Sequence, residues 1–296
     1  MTYFCNIKDP HSIITPIQNG STFPEFLQEK IDKYAPYIED FCNIIQESSS
    51  SREVLEKIRN PSIKMDKEKR MALLKMFRRC VSPVCDTEAT KKIQKIPTSV
   101  FIENYAHTFK PIEKLKKQFL SPPKDHISAL SVLLGEYDTR GAQGYILTDL
   151  FFTWIEETFE ILSIEGPRGA GQDIQLSAVF PDYVGSYPCD FVIRDRQSGD
   201  VLAIGFARYD STRGGAQSDD RTGGNSDKVS KAIRFSKESG HNFKVIFLAD
   251  GPGLAHKDTW LETCELDGAW DGNVRVTTLI TAPERITADW LSASTS

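Results

Sequence analysis

The sequence predicts a mixed α/β protein, with a helical N-terminal region over residues 1–123 and a central mixed sheet flanked by helices over residues 124–296. Three observations carry that expectation. Apolar residues recur at the helical period before residue 121. Ser121-Pro122-Pro123 then forbids a helix at its own position and marks the best boundary. Beyond it, short β-rich runs alternate with amphipathic ones.

The elements follow in order. Phe26, Ile31, Tyr34, Ile38, Phe41 and Ile44–Ile45 fall on one helical face. The serine run at 48–51 interrupts that helix and caps the next, REVLEKIRN, which stops before Pro61. MDKEKRMALLKMFRRC is a further helix, with basic residues near its C-terminal end where the backbone dipole favours them. After the boundary, Leu147, Leu150, Phe151, Trp154, Ile155, Thr158 and Phe159 space out one apolar face. Two β-rich runs, CDFVIRD and DVLAIGFARY, are joined by the turn RQSG. NSDKVSKAIRFSKESG reads as a helix capped by Asn225 or Ser226 and stopped by Gly240. FKVIFLADG is almost wholly apolar and suits a strand buried on both faces. KDTWLETCEL gives a short helix and VRVTTLI a last strand.

Composition excludes several classes. No apolar run is long enough to span a membrane. The first residues lack a basic segment followed by an apolar block, so a cytoplasmic protein is expected. Six dispersed cysteines then read as reduced thiols, and five dispersed histidines give no zinc spacing. The net charge of −5 hides a strong asymmetry: residues 52–124 hold 18 Lys/Arg against eight Asp/Glu. A basic third between acidic segments is a footprint for a polyanion, the plainer alternative being a solvated lysine-rich face.

The hairpin is where chemistry is expected. A turn centred on Gln197-Ser198 sets Asp190 across from Gly205, and one centred on Ser198-Gly199 sets it across from Ala207. Either way a carboxylate stands at the open end of two adjacent strands. A metal-dependent nuclease needs one carboxylate from each strand to hold Mg²⁺, and a lysine or polar group two residues on to orient the nucleophile. The second strand offers Gly205-Phe206-Ala207 instead, and a glycine inside a strand weakens it.

Three stretches carry a family resemblance: GEYDTRGAQG at 135–144, DFVIRDRQSGDVLAIGFARYDSTRGGAQ at 190–217, and FLADGPGLAHKDTWLETC at 247–264. Together they resemble the type II restriction endonucleases of the DpnII/MboI kind, within the PD-(D/E)XK superfamily, over about residues 130–285. The resemblance implies a PD-(D/E)XK core, Mg²⁺ as cofactor and hydrolysis of double-stranded DNA at a short site. It also implies a homodimer matching a palindrome and a cognate DNA methyltransferase in the same restriction–modification system. Asp190 matches the first metal-binding carboxylate, Gly205 stands where the family has Glu, and Ala207 where it has its second polar residue. Gly214-Gly215 match the loop that lies near DNA, and Gln217 falls closest to a terminal lysine. Gly205 is therefore expected to be a lost metal ligand, making this chain an inactivated variant. Asp182, Glu160 and Glu165 are the other acids in reach of the role.

Arg208, Arg213, Arg221 and Lys228 lie among glycines in 208–228, where arginine pairs with phosphate or guanine edges; Arg140 is a further candidate contact. Two rivals to the endonuclease remain: a DNA-binding protein on a nuclease fold that never cleaves, and a helical adaptor whose basic segment meets an acidic protein.

Overall fold

The computed structural model describes residues 3–136, 138, 141–212 and 217–293, the side chains of 217–223 excepted. The chain forms two compact units, one of residues 20–140 and one of residues 1–19 with 141–296. The expected boundary at 123 therefore moves to 140, and the first 19 residues leave the helical unit. Physical reasons are plain in each case.

In the helical unit, Glu25–Glu47 buries Tyr34, Ile38, Phe41 and Ile45, four positions of the expected face. Ser51–Arg59 is capped by Ser50, whose side chain accepts from the Glu53 amide at 3.2 Å. Lys67–Met76 starts at Asp66, which caps the Lys69 amide at 2.7 Å, and ends in a wide π-helical turn, Phe77–Val81. Helix Lys124–Gly135 sends Leu134, Ile127 and Leu130 into the same core, so the two prolines start this helix instead of ending the unit.

In the second unit a five-stranded mixed sheet has the order β1-β4-β5-β6-β7. The strands are β1 (Leu162–Glu165), β2 (Ile174–Gln175), β3 (Pro188–Cys189), β4 (Phe191–Asp195), β5 (Val201–Tyr209), β6 (Lys244–Asp250) and β7 (Val274–Thr277); β2 and β3 pair separately. β1 pairs with β4 and β4 with β5 antiparallel, whereas β5 pairs with β6 and β6 with β7 parallel. Helix Ala142–Thr158 covers one face with Leu147, Phe151, Phe152 and Ile155. Leu150, expected on that face, is 42% exposed, and Phe152 takes the inner position. Helices Gln217–Ser239 and Lys257–Leu266 cover the other face through Val229, Ala232, Phe235 and Leu266. The former begins eight residues before the expected cap at 225.

Two buried carboxylates tie the first residues to this unit. Asp267 accepts from the amides of Tyr3 (2.9 Å), Phe4 (3.4 Å) and Val276 (3.1 Å), and pairs with the Arg285 guanidinium. Asp250 accepts from the Thr15 amide and hydroxyl at 2.8 and 2.7 Å, from Gly251 N–H at 2.7 Å and from Leu279 N–H at 2.9 Å. In the sequence Asp250 reads as a turn residue. It is 1% exposed and clamps three segments.

Candidate functional site

β4 and β5 pair through a bulge that the sequence does not announce. Next to the turn, Arg194 faces Val201; one step on, Ile193 faces Ala203, which leaves Leu202 as the extra residue. The shift places Phe191 opposite Gly205, one residue away from both expected registers. Since strand side chains alternate between faces, a shift of one residue decides which neighbours meet.

The consequence for position 205 is direct. A Cβ built on Gly205 would lie 2.0 Å from Phe191 Cζ and 2.1 Å from Cε2. The Phe191 ring is itself wedged between Phe151 and Phe152, with ring centres 5.3 and 5.9 Å away. The Phe191 ring fills the space that a side chain at 205 would take. The expectation of an emptied ligand position there is corrected: that space belongs to the core beneath helix Ala142–Thr158.

Asp190 nonetheless stands beside this pair, at the open end of the hairpin. Its N–H donates to the Gly205 carbonyl at 2.9 Å, and its Oδ2 accepts from the Ala207 N–H at 2.8 Å. Ala207 thus contributes a backbone amide and no side-chain chemistry. Burial pushes the Asp190 carboxyl above its ordinary value; the Ala207 N–H bond opposes this, Asp173 adds to it and Lys228 counters it.

The carboxylate lines a cavity of about 290 Å³ near the C-terminal ends of β5 and β6, under the two covering helices. Lys228 reaches the same cavity, its Nζ 3.9 Å from the centre of the Phe206 ring. Burial lowers the lysine's affinity for its proton, and Asp190 is the foremost charge restoring it. One turn before it on the helix, Asn225 donates from Nδ2 to Glu262 Oε1 at 3.0 Å. Phe206 and Phe247 stack at 5.2 Å to form an apolar floor. The site is a half-buried acid and a half-buried base over aromatic rings.

The other sequence candidates distribute unevenly. Lys228 belongs to the cavity and not to a free surface loop. Arg208 lines it as well, but its Nε donates to Asp210 Oδ1 at 2.6 Å, so its charge is already engaged. Arg140, Arg213, Gly214 and Gly215 lie outside the described residues, as do the side chains of Gln217 and Arg221. Asp182 pairs with His241 at 3.0 Å and Glu165 with Arg194 at 3.0 Å. Glu262 is the acid that sequence reading missed; nothing in KDTWLETCEL sets it apart from a solvated helix face.

The resemblance implies one carboxylate from each of two strands for Mg²⁺, and β4–β5 brings one, Asp190. Among the described residues no group of three or more His, Cys, Asp or Glu is placed to share a metal ion. The residues present therefore supply one of the two carboxylates that the resemblance implies for Mg²⁺. Comparison with known proteins adds no relative: no protein-family model, no curated protein and no solved structure matches the chain. Among the described residues, no helix is long and apolar enough to cross a membrane.

Proposed function

We propose that the protein recognises a short duplex-DNA site as a homodimer, in the manner of a type II restriction endonuclease, and that this chain binds DNA without cutting it. The support begins with the element order. A helix, an antiparallel strand, an antiparallel hairpin, a second helix and a parallel strand follow one another as the PD-(D/E)XK resemblance implies. The observation that carries the reading is Asp190: a half-buried carboxylate at the open end of the hairpin, at a cavity shared with Lys228. A carboxylate with one hydrogen bond from the protein has acceptor capacity left for a ligand.

Favouring binding over hydrolysis is the filled space at 205. A glycine packed against a ring offers no second acid, and a single carboxylate holds a hydrated Mg²⁺ weakly. What these residues do is bind and orient. Lys228 attracts a phosphate oxygen, Asp190 excludes a second negative group from the same place, and the aromatic floor keeps bulk water away.

Selection from a randomised duplex pool, followed by incubation of the selected duplex with Mg²⁺, tests this. The expected result is enrichment of a palindromic sequence, affinity falling steeply with salt, and an uncut duplex. Cleavage would restore the endonuclease reading in full. An unenriched pool bound at no salt concentration would remove both.

A further inference from the structure

The helical unit holds a second cavity, of about 420 Å³, whose lining includes Arg79, Lys110, Lys117 and His126 and not one carboxylate. The arginine and two lysines converge with no acid in the lining and repel one another unless an anion arrives between them. The structure supplies few counter-charges. Arg79 reaches Glu136 at 3.5 Å; Lys110 donates to a neutral partner, Gln118 Oε1, at 3.2 Å. Lys117 and His126 make no ion pair among the described residues. A neighbouring cavity behaves differently: there Lys75, Arg78 and Arg79 share the lining with Asp86 and Glu88, and Arg78 lies 4.0 Å from Asp86. The cavity around Lys117 is one place where the surplus of residues 52–124 stays unbalanced; another, lined by Arg70, Lys91, Lys92 and Lys95, also has no acid but has no aromatic ring in its wall.

We propose that this cavity binds the backbone phosphates of a nucleic-acid strand. The inference rests on the DNA-binding reading and gives it a second surface, inside the helical unit. The volume exceeds that of one phosphate group. Phe119 stands in the wall beside the cations, so a backbone phosphate can sit on Lys110 and Lys117 with its deoxyribose against the ring. Cys80 also lines the cavity, but burial pushes its thiol up to about 11, so it is protonated at neutral pH and supplies no nucleophile. The cavity binds; it does not react.

The test compares the full chain with Lys110→Gln/Lys117→Gln and Lys110→Arg/Lys117→Arg, on a 20-bp duplex titrated with salt. Wild type is expected to show a steep linear fall of log affinity with log salt. The Gln pair is expected to flatten that slope by about 2 with thermal melting unchanged, and the Arg pair to keep it. If the Gln pair melts early, Lys117→Gln alone, at an exposed position, is expected to flatten the slope by about 1. An unaltered slope in variants that fold and bind DNA overturns the cavity's role and leaves the DNA-binding reading standing. A wild type that binds no duplex overturns both. If binding to a polyglutamate peptide falls in the Gln pair while DNA binding does not, the partner is an acidic protein and the proposal fails.

Discussion

Asp190 and Asp267 are both aspartates of the sheet unit that accept backbone N–H bonds, yet they do opposite work. Asp267 is 1% exposed and fully engaged, by three amides and the Arg285 guanidinium. Asp190 has one amide, a lysine in the same cavity and a carboxyl held above its ordinary range by burial. A satisfied buried acid locks segments together; an under-satisfied one at a cavity has capacity left for a ligand. The difference separates scaffold from site within one unit.

The largest expected effect breaks the scaffold side. Asp267→Ala strands the Arg285 guanidinium in the core and frees three amides, so denaturant unfolding is expected to show a loss of about 3–5 kcal/mol. A loss below 1 kcal/mol would mean that Asp267 is no better anchored than Asp190. Next comes Gly205→Glu, where the added side chain must displace the Phe191 ring. The variant is expected to lose about 1–3 kcal/mol and to stay inactive on the selected duplex with Mg²⁺. A stable variant that cuts would reinstate position 205 as a metal-ligand position.

The smallest effect sharpens the site side. Because burial raises the folded-state value of Asp190 above the unfolded one, the folded protein binds the proton more tightly. The contribution of Asp190 to stability therefore falls as pH rises from the ordinary aspartate value through the folded value and levels off above it. Asp190→Asn keeps an oxygen for the Ala207 N–H and removes the charge. Thermal melts are expected to place the variant at or above wild type at pH 7, with the gap closing as pH drops below the ordinary aspartate value. A variant that melts well below wild type at pH 7 would class Asp190 with Asp267.

Much of the fold is legible because its signals are local. The apolar face of Glu25–Glu47, the cap at Ser50 and the buried run of β6 each follow from residues a few positions apart. Asp190 at the end of the hairpin is legible for the same reason. What escapes depends on partners distant in sequence or on one inserted residue. The bulge at Leu202 moves the pairing by one and turns an expected ligand position into a packing position. Asp250 reads as a turn residue because Thr15 and Leu279 are nowhere near it in the chain. Gly223-Gly224 suggest a loop, since glycine in a helix costs about 1 kcal/mol each, yet the helix runs through them from Gln217. Glu262 has no local mark at all; only the fold sets it beside Asn225.

Equilibrium binding of the selected duplex to wild type and Asp190→Asn, at pH 7 and constant salt, tests the central claim most directly. If Asp190 uses its remaining acceptor capacity to hold a donor group of the duplex beside the phosphate on Lys228, removing its charge weakens binding several-fold while the fold is unchanged. Equal affinities for two equally stable proteins would contradict it, and would leave the cavity at the strand ends as packing and nothing more.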